Sequence, residues 1–481
     1  MRLVAGIDSS TQSCKVTVRD LDTGVCIREG SAPHPVETIV DPEVWWDALL
    51  EAVRAAGGLH DVLAVSVSGQ QHTPIFLDET GTPVAASPLW NDVGSHPHMV
   101  ALNAELGRDT WIRRTGLPLT LSDTVVKARW LRDEFPDAAA RTAAIAVVHD
   151  WLTWRLRGFG PGTGGVDNLV TDRSEASGTG YWSGETGEYT LDLLAHAFGR
   201  PVVLPVILGP LDRAGVTAAG LPGIPAGLPI GVGSGDNAAA ALALGLEEGD
   251  AVLSLGTSGV VYARTSAPVH DYAGYVCSYA DATGDHLPIV ATLNAARNLQ
   301  VGAELLGCTH DELADLALAA SPGAGGLTLL PYFEGERTPD LPHARAAVLG
   351  ASLSNFTRAN MARAFVEGTV ASQVAMLDAL EACGVRSRRL LVIGGAAKNR
   401  GVQRVLAELV DIPIAVPTAD EYVAKGAAMQ AAAALTGSFP VWPIEMSTVA
   451  AAPPAPQILR QHRDAQIALG YVAPAPAPAH V

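Results

Sequence analysis

Lysine is rare in this chain, which contains four lysines among 481 residues. None of them follows a glycine, so the phosphate-binding pattern GxxxxGK[ST] is absent. This absence excludes the commonest loop by which proteins hold ATP. If the chain binds a nucleotide, backbone amides and hydroxyl groups must hold most of the phosphates.

Basic residues and cysteine are also scarce. The chain has 32 basic and 50 acidic residues, and its formal net charge of −18 argues against binding to nucleic acids or anionic membranes, which require a basic surface. The five cysteines form no CxxC pair and are too sparse for a disulfide framework or a zinc site. We therefore expect no nucleic-acid and no membrane partner.

Long apolar runs are missing as well. The run from 238 to 246 is far shorter than the roughly 20 residues that cross a bilayer. The first residues reach Asp8 without a signal-peptide pattern, so we expect a cytoplasmic protein. A chain of this length with 48% hydrophobic residues can bury large cores, and we expect two large domains.

The most informative feature that is present is a repeated unit of strand, hydroxyl-rich turn and strand. Its first copy covers residues 3–18, with the turn at 8–13, and its second copy covers residues 251–263, with the turn at 256–259. A helix start near 41–46 and a strand over 62–67 follow the first copy. The repetition predicts a duplicated α/β domain around a cleft.

Glycine and proline are dense between Leu221 and Gly235, which is typical of a domain junction and a hinge. We therefore predict one domain over residues 1–228 and a second over 229–472. The alternating Ala-Pro tail at 473–481 is expected to be disordered, and residues 157–180 are interpreted as a loop.

Asp236 stands between a glycine turn and an alanine-rich helical segment. One interpretation is a helix N-cap, since aspartate is favoured there. The other is a general base, because a carboxylate at a helix N-terminus stays ionised and can accept a proton from a hydroxyl group. The two interpretations are compatible.

The two hydroxyl-rich turns are candidate phosphate loops. Asp8 offers a carboxylate for Mg²⁺, and the residues after it offer hydroxyl and amide groups. The glycines of Gly256-Thr-Ser-Gly259 allow the backbone to approach a phosphate closely. Taken singly, either loop is also explained as an ordinary turn. The pair Gly394-Gly395, between a strand and a helix, could admit a nucleotide or only form a turn.

In their order along the chain, seven motifs resemble those of the FGGY carbohydrate kinases, and among these the xylulokinases. The resemblance covers nearly the whole chain. The motifs are Gly6-Ile-Asp-Ser-Ser-Thr11, Ser68-Gly-Gln-Gln-His72, Leu89-Trp-Asn-Asp92, Gly233-Ser-Gly-Asp-Asn-Ala238, Leu253-Ser-Leu-Gly-Thr-Ser-Gly259, Leu330-Pro-Tyr-Phe-Glu-Gly-Glu-Arg-Thr-Pro339 and Ile393-Gly-Gly-Ala-Ala-Lys-Asn399.

The resemblance implies an actin-like ATPase fold, with two ribonuclease H-like domains around a central catalytic cleft. It also implies an N-terminal sugar-binding domain, a C-terminal nucleotide-binding domain and transfer of the γ-phosphoryl group of ATP to O5 of D-xylulose. Mg²⁺ is the implied metal ion, and a homodimer is compatible with the family.

The resemblance also implies roles for individual residues. Asp236 is the implied general base, and Asp8 is the implied Mg²⁺ ligand. The remaining implied contacts are the transferred phosphate at Thr11, Gln12, Ser13 and Lys15; the other phosphates at Gly256, Thr257 and Ser258; the adenosine at Gly395 and Asn399; and the sugar at Gln71, His72, Asp236 and Asn237, with Trp90 and Asp92 nearby. Apart from the resemblance, His72 is better explained as a structural histidine at a strand end, and core packing is the main interpretation of Trp45, Trp46 and Trp90.

Three positions depart from the family pattern. Ser10 replaces a glycine, Gln71 replaces a methionine, and Val93-Gly-Ser95 replaces a segment that carries an arginine. These departures affect the prediction of which sugar is bound more than the prediction of which reaction is catalysed. One alternative is a kinase for another ketose or polyol, such as ribulose, fuculose or glycerol. Another is an actin-like ATPase module that does not phosphorylate sugars.

Overall fold

The computed structural model describes residues 1–472, so the expected disorder of the tail at 473–481 lies outside the described residues. The chain forms two compact units. The first unit contains residues 1–246, 264–288 and 420–443, and the second contains residues 247–263, 289–419 and the described residues from 444 onward.

The structure contains short and medium strands throughout both units. In chain order they are β1 Leu3–Ser9, β2 Ser13–Asp20, β3 Cys26–Pro33, β4 Ile39–Val40, β5 Val62–Gly69, β6 Pro74–Leu77, β7 Ser87–Pro88, β8 Ala144–Val147, β9 Val170–Thr171, β10 Val206–Ile207, β11 Arg213–Val216, β12 Pro229–Gly231, β13 Ser234–Gly235, β14 Asp250–Leu255, β15 Gly259–Ala263, β16 Cys277–Ala280, β17 His286–Thr292, β18 Thr328–Leu330, β19 Ala347–Leu349, β20 Arg389–Ile393, β21 Ile414–Pro417 and β22 Met446–Thr448.

Helices separate these strands. The α-helices are α1 Glu43–Ala55, α2 His96–Leu106, α3 Arg108–Thr115, α4 Thr124–Glu134, α5 Pro136–Arg141, α6 Val148–Leu156, α7 Arg173–Ser177, α8 Leu191–Phe198, α9 Asp236–Ala243, α10 Ala296–Leu306, α11 His310–Ala319, α12 Arg358–Ala382, α13 Arg400–Leu409, α14 Tyr422–Thr436 and α15 Gln457–Ala468. The 3₁₀ turns are Val166–Asn168, Ala324–Gly326 and Gly395–Lys398. Across residues 1–472, no helix is long and apolar enough to span a membrane.

The main sheet of the first unit has the strand order β11-β12-β5-β1-β2-β3, and β13 also pairs with β5. All seven residues of β1 are buried, because helices cover both faces of the sheet. Ile7 packs with Trp45 of α1 on one face, and Val4 packs with Ala428 of α14 on the other. The strands and the helix predicted at the start of the chain are confirmed.

Small residues let α14 lie unusually close to this sheet and to α9. A Cβ atom on Gly6 would lie 1.9 Å from the carbonyl oxygen of Ala424, and one on Gly426 would lie 2.0 Å from the carbonyl oxygen of Ala239. Only glycine permits such backbone approach. The alanine-rich composition of α9 and α14 therefore reflects close packing in the layer that carries Asp236.

The second unit contains a sheet with the order β17-β15-β14-β20-β21-β22, in which residues 289–292 of β17 belong to this unit. β14 runs antiparallel to β15 and parallel to β20. The hairpin formed by β14 and β15 is the second copy of the predicted repeat, and it is confirmed. Helix α12 packs against α11 and α13 in the same unit.

The segment at 157–180 is not a plain loop. It contains one 3₁₀ turn, the strand β9 and the helix α7. Asp172 caps α7, since its side chain accepts hydrogen bonds from the backbone amides of Ser174 and Glu175. The prediction was wrong because the glycines before residue 166 led to the whole segment being interpreted as a loop, although an Asp-x-x-Glu capping pattern follows them.

Candidate active site

Strand register brings Asp8 and Asp236 to the same edge of the first unit's sheet. Asp8 on β1 is aligned with Ser68 on β5, and Ser68 is aligned with Ser234 on β13. All three strands run parallel, so their carboxyl ends meet at one edge, with neighbouring strands about 4.8 Å apart. Asp236 begins α9 directly after β13. The two predicted catalytic carboxylates therefore lie in one cluster.

Asp8 is buried, with 3% of its surface exposed. Burial raises its pKa to about 7, although a hydrogen bond from Ser10 Oγ opposes the shift. The negative charge of Asp236 raises the pKa of Asp8 further. Because each negative charge disfavours the other, a positive charge beside the two carboxylates would be stabilising.

Asp236 differs from its expected environment in two respects. It is the first helical residue of α9, and Gly235 occupies the N-cap position instead. Its Oδ1 accepts hydrogen bonds from the backbone amide (2.7 Å) and Nδ2 (2.9 Å) of Asn237. Asp236 is half-buried, and desolvation nevertheless raises its pKa to about 6. A carboxylate with a pKa near neutrality is a better general base.

The turn after Asp8 is held by side chains of the first unit. Trp90 Nε1 donates to Thr11 Oγ1 at 2.9 Å, and Lys15 Nζ lies 2.7 Å from Glu421 Oε2. The non-glycine residues with positive φ across residues 1–472 are His72 and Ala324, so Ser10 replaces a glycine without positive φ. Gln12 is exposed, whereas Thr11 and Ser13 are half-buried.

His72 has a φ of 73°, which is rare for a residue with a side chain and recurs at functional sites. Its Nδ1 lies 2.7 Å from the carbonyl oxygen of Gly178. Because a carbonyl oxygen only accepts, Nδ1 carries a hydrogen, and the same nitrogen lies 3.6 Å from Asp123 Oδ1. The ring also meets Tyr279 edge-on, at 5.6 Å between centroids.

The other predicted sugar-binding residues are near the same strand ends. Gln71 is buried, and its Nε2 donates to the carbonyl oxygen of Ser174 at 2.8 Å. Asp92 Oδ2 accepts from Thr38 Oγ1 at 2.8 Å. Trp90 is half-buried and its backbone amide donates to Thr73 Oγ1 at 3.1 Å, so it is not a plain core residue.

The prediction of core packing holds for two of the three tryptophans named above. Trp45 and Trp46 are 1% and 8% exposed and belong to the main cluster of the first unit. They stay outside the candidate site.

Lys127 is a charged residue near this site that sequence reasoning missed. It is fully buried on α4, and its Nζ has no hydrogen-bond partner in the described part of the chain. Burial lowers its pKa to about 8, against the attraction of Asp92 and Asp123. Its rarity as one of four lysines was the only signal in the sequence.

In the second unit, two loops follow the carboxyl ends of the paired strands β14 and β20. Ser254 of β14 is aligned with Ile393 of β20, so the loops that follow these parallel strands lie side by side. A Cβ atom on Gly394, which has a φ of 91°, would lie 2.6 Å from the carbonyl oxygen of Leu255. Ligands of α/β sheets bind outside the carboxyl ends of such strands.

The predicted nucleotide-binding residues occupy these loops. Thr257, Ser258 and Gly395 are exposed, and Gly256 is half-buried. A Cβ atom on Gly395 would meet nothing within 4 Å. Asn399 caps α13, since its Oδ1 accepts from the amide of Val402 at 3.1 Å, so its side chain is already engaged in the fold.

Comparison with known proteins decides the family. The model of the FGGY family of carbohydrate kinases, N-terminal domain, matches residues 3–243, and that of its C-terminal domain matches residues 251–435. The chain belongs to the FGGY family of carbohydrate kinases. It is therefore a sugar kinase, and ATP is the co-substrate that this family implies.

Individual relatives agree with this assignment. The chain is 42% identical to a xylulose kinase of Streptomyces rubiginosus, over 91% of this chain and 89% of the relative. It is 31% identical to a xylulose kinase of Haemophilus influenzae, over 89% of each chain.

Solved structures support the fold of this kinase. A crystal structure of xylulose kinase from Bifidobacterium adolescentis superposes with a TM-score of 0.90 and 40% identity, over 97% of this chain and 99% of the other. The glycerol kinase of Plasmodium falciparum, solved with ADP, shares the fold with a TM-score of 0.86 and 19% identity, over 99% of each chain. The predicted two-domain α/β fold of the actin-like ATPase class is confirmed.

Proposed function

We propose that this kinase transfers the γ-phosphoryl group of ATP to O5 of D-xylulose, with Asp236 as the general base. The observation that carries the choice of sugar is the sequence identity to two xylulose kinases, 42% to one and 40% to another of known structure, across about nine-tenths of the chain or more. The strained His72 and the buried Gln71 beside the Asp236 turn support a polar sugar pocket in the first unit.

Asp236 has the properties that the acceptor hydroxyl requires. Its pKa of about 6 keeps it ionised at neutral pH while leaving it basic enough to take a proton. The two hydrogen bonds from Asn237 leave its second oxygen, Oδ2, for the substrate. Phosphoryl transfer proceeds through a loose transition state, so positioning of the hydroxyl matters more than the strength of the base.

Asp8 fits the proposed role of Mg²⁺ ligand. It is a buried carboxylate whose pKa is raised by burial and by the neighbouring charge of Asp236, and a cation would relieve both effects. Residues 1–472 contain no cluster of three or more metal-binding side chains, which suits an ion held by one carboxylate together with substrate phosphates and water. When bound, Mg²⁺ supplies charge neutralisation to the β and γ phosphate oxygens.

The remaining site residues are proposed to bind the two substrates. The sugar contacts are proposed to come from His72, Gln71, Trp90, Asp92 and Asn237, together with Asp236. Thr11, Gln12, Ser13 and Lys15 are proposed to face the transferred phosphate. The amides and hydroxyls of 256–258 would hold the other phosphates, and Gly395 and Asn399 would lie near the adenosine.

The functional division of the chain also stays a prediction. Residues 1–228 are proposed as the sugar-binding domain and residues 229–472 as the nucleotide-binding domain, with Asp236 and Asn237 of the latter range also serving the sugar. A homodimer and a cytoplasmic location are predictions as well, the first from the family and the second from the sequence.

A substrate panel tests the choice of sugar. ADP release is coupled to NADH oxidation with D-xylulose, D-ribulose, L-ribulose, L-fuculose, D-fructose and glycerol as acceptors. We expect the highest kcat/KM for D-xylulose, by at least about tenfold, because pocket groups built for one set of hydroxyls are left unpaired by another sugar. A higher kcat/KM for another acceptor would identify that acceptor as the preferred substrate and leave the assignment of phosphoryl transfer unchanged.

The same assay without any sugar addresses the alternative of an actin-like ATPase module. A sugar kinase should release little ADP until its acceptor is added. ATP turnover that is indifferent to all six acceptors would contradict the proposed function.

A further inference from the structure

The turn that precedes Asp236 is held by buried side chains at three peptide groups. His149 Nε2 lies 2.9 Å from the carbonyl oxygen of Val232, and Gln430 Nε2 donates to the carbonyl oxygen of Gly233 at 2.6 Å. The backbone amide of Gly235 donates to Ser174 Oγ at 2.9 Å. All partners belong to the first unit, and the three side chains are at most 2% exposed.

Ser174 is the one of the three that also reaches a proposed sugar-binding residue. Its hydroxyl accepts from Gly235 and donates to Asp172 Oδ2 at 2.6 Å. Its carbonyl oxygen accepts from Gln71 Nε2 at 2.8 Å. One residue of α7 thus contacts both the turn that carries the base and the side chain beside it.

Asp172 fixes the direction of the Ser174 hydroxyl. Its Oδ2 accepts from both the amide of Ser174 at 2.7 Å and the hydroxyl at 2.6 Å. A carboxylate only accepts, so the hydroxyl hydrogen points to Asp172 and its lone pairs remain for the amide of Gly235. Asp172 is 4% exposed, where such a charge-assisted hydrogen bond is strong.

The turn leaves little space for an alternative geometry. A Cβ atom on Gly233 would lie 2.1 Å from His149 Nε2, and one on Gly235 would lie 2.6 Å from Gln71 Cγ. His149 is itself held at 3.0 Å by Asp150 Oδ1. Both ring nitrogens of His149 face oxygen atoms, and although burial lowers its pKa, the hydrogen bond with Asp150 and the nearby carboxylates raise that pKa above its ordinary value. The glycines of the motif are therefore required for contact with these side chains.

We propose that Ser174, oriented by Asp172, is a positioning residue that sets Asp236 and Gln71 at a fixed separation, so that the sugar held by Gln71 presents its reacting hydroxyl to the base. Neither Ser174 nor Asp172 has to touch the substrate for this role. The proposal rests on the proposed function, because it assigns Ser174 an effect that acts through Asp236. A displacement of about 1 Å at a reacting centre lowers rates by about 10²-fold.

The test is Ser174→Ala, which removes the acceptor for Gly235 but leaves the carbonyl that holds Gln71. We expect kcat for D-xylulose to fall about 10- to 100-fold with the KM for ATP unchanged within about twofold. In the double variant with Asp236→Asn, kcat should equal that of Asp236→Asn alone, because Ser174 acts through the base. Hydrogen exchange of the peptide covering 232–237 should become faster in the variant without any ligand.

Thr217→Val is the matched control. Thr217 Oγ1 is buried in the same unit, donates to the carbonyl oxygen of Pro225 at 2.6 Å and accepts from the amide of Leu228 at 2.9 Å. The Thr217→Val variant therefore loses one accepted and one donated hydrogen bond, as Ser174→Ala does, but away from the Asp236 turn. Its kcat should stay within about twofold of the parent. If Ser174→Ala does not fold, Asp172→Asn takes its place and should lower kcat in the same direction.

The outcomes separate the positioning role from the proposed function. Two results would overturn the positioning role while leaving the base in place. The first is a kcat of Ser174→Ala equal to that of the control. The second is a double variant whose kcat lies below that of Asp236→Asn by the same factor by which Ser174→Ala alone lies below the parent. Near-parental activity of Asp236→Asn would instead remove the base assignment itself.

Discussion

At the scale of single residues, Asp236 is the group on which the chemistry depends most. Asp236→Asn keeps an Oδ1 acceptor for the two hydrogen bonds from Asn237 but cannot take a proton. We expect kcat for D-xylulose to fall by about 10²- to 10⁴-fold. The thermal unfolding midpoint should not fall, because the variant keeps the Oδ1 acceptor and removes the charge of a half-buried carboxylate whose desolvation is unfavourable. Steady-state kinetics and differential scanning fluorimetry measure the two effects.

Asp109→Asn provides the control for this variant. Asp109 is an exposed aspartate in the first turn of α3, so like Asp236 it stands near a helix N-terminus, but it lies outside the site. Its replacement should leave kcat within about twofold, as surface substitutions away from special features usually do little. Equal kinetics for the two variants would contradict a catalytic role for Asp236.

The raised pKa of Asp236 makes activity depend on pH. Since the base must be ionised, kcat/KM for D-xylulose should fall tenfold for each pH unit below about 6 and reach a plateau above it. The profile is measured at saturating ATP and Mg²⁺. In the residual activity of Asp236→Asn this dependence should be lost, and a profile unchanged by the substitution would assign the titration to another group.

Stability should show the same titration with a defined sign. The pKa of Asp236 is about 6 in the fold and about 3.9 in an unfolded chain. Its contribution to stability is therefore fully present below pH 4 and is lost as the pH rises through 6. Asparagine does not titrate, so the unfolding midpoint of Asp236→Asn relative to the parent should rise between pH 4.5 and pH 7.5. A difference that is constant with pH would contradict the shift.

At the scale of elements, the turn before α9 is the most constrained segment of the site. Gly233 has a φ of 81°, and a Cβ atom there would lie 2.1 Å from His149 Nε2 and 2.4 Å from the carbonyl oxygen of Val67. Gly233→Ala should cost about 3 kcal/mol, from the left-handed backbone and from overpacking together. Chemical denaturation followed by circular dichroism measures the loss, and kcat should fall with it.

Gly227→Ala separates the two causes. Gly227 has nearly the same φ, 82°, but a Cβ atom there would meet nothing within 4 Å. The control should cost only about 1 kcal/mol, which is the penalty of the left-handed backbone alone. Similar losses for the two variants would show that contact with His149 does not constrain the turn.

The strands and the lone helix start were predictable, whereas the register that builds the site was not. β1 and β14 are continuous apolar runs ended by polar turns, so local pattern was enough. The alignment of Asp8 with Ser68 and Ser234 depends on pairing between distant segments. The helix α7 was missed for a local reason: its five residues carry too little periodicity, and the capping pattern of Asp172 and Glu175 beside a glycine-rich stretch was the one signal of its start.

At the scale of the whole molecule, each unit is assembled from segments that are far apart in the sequence. Residues 420–443 return to the first unit, where α14 covers β1 at Gly6. Arg19, which is 2% exposed, is paired with Asp420 across 401 residues of sequence. No local sequence pattern predicts that α14 packs on the first unit, because an alanine-rich helix can pack against any surface that allows close approach. Length and the repeated strand-turn-strand unit predicted two α/β domains, and the motifs that resemble a known family supplied their actin-like fold.

The two units should respond to different substrates. Gly395 in the second unit is exposed, and a side chain there would meet nothing within 4 Å, so Gly395→Val should fold normally. If adenosine lies against this residue, the added side chain should raise the KM for ATP about tenfold or more by occupying the space of the ligand. The KM for D-xylulose should stay within about twofold, as measured by varying each substrate at saturation of the other.

Asp92→Asn in the first unit gives the reciprocal comparison. Asp92 Oδ2 accepts a hydrogen bond from Thr38, and the charge of Asp92 attracts the buried Lys127. Loss of that charge should raise the KM for D-xylulose and leave the KM for ATP near its parental value, because a buried cation loses one of its two balancing charges beside the sugar contacts. If both variants raised the same Michaelis constant, the separate assignment of sugar and nucleotide to the two units would be wrong.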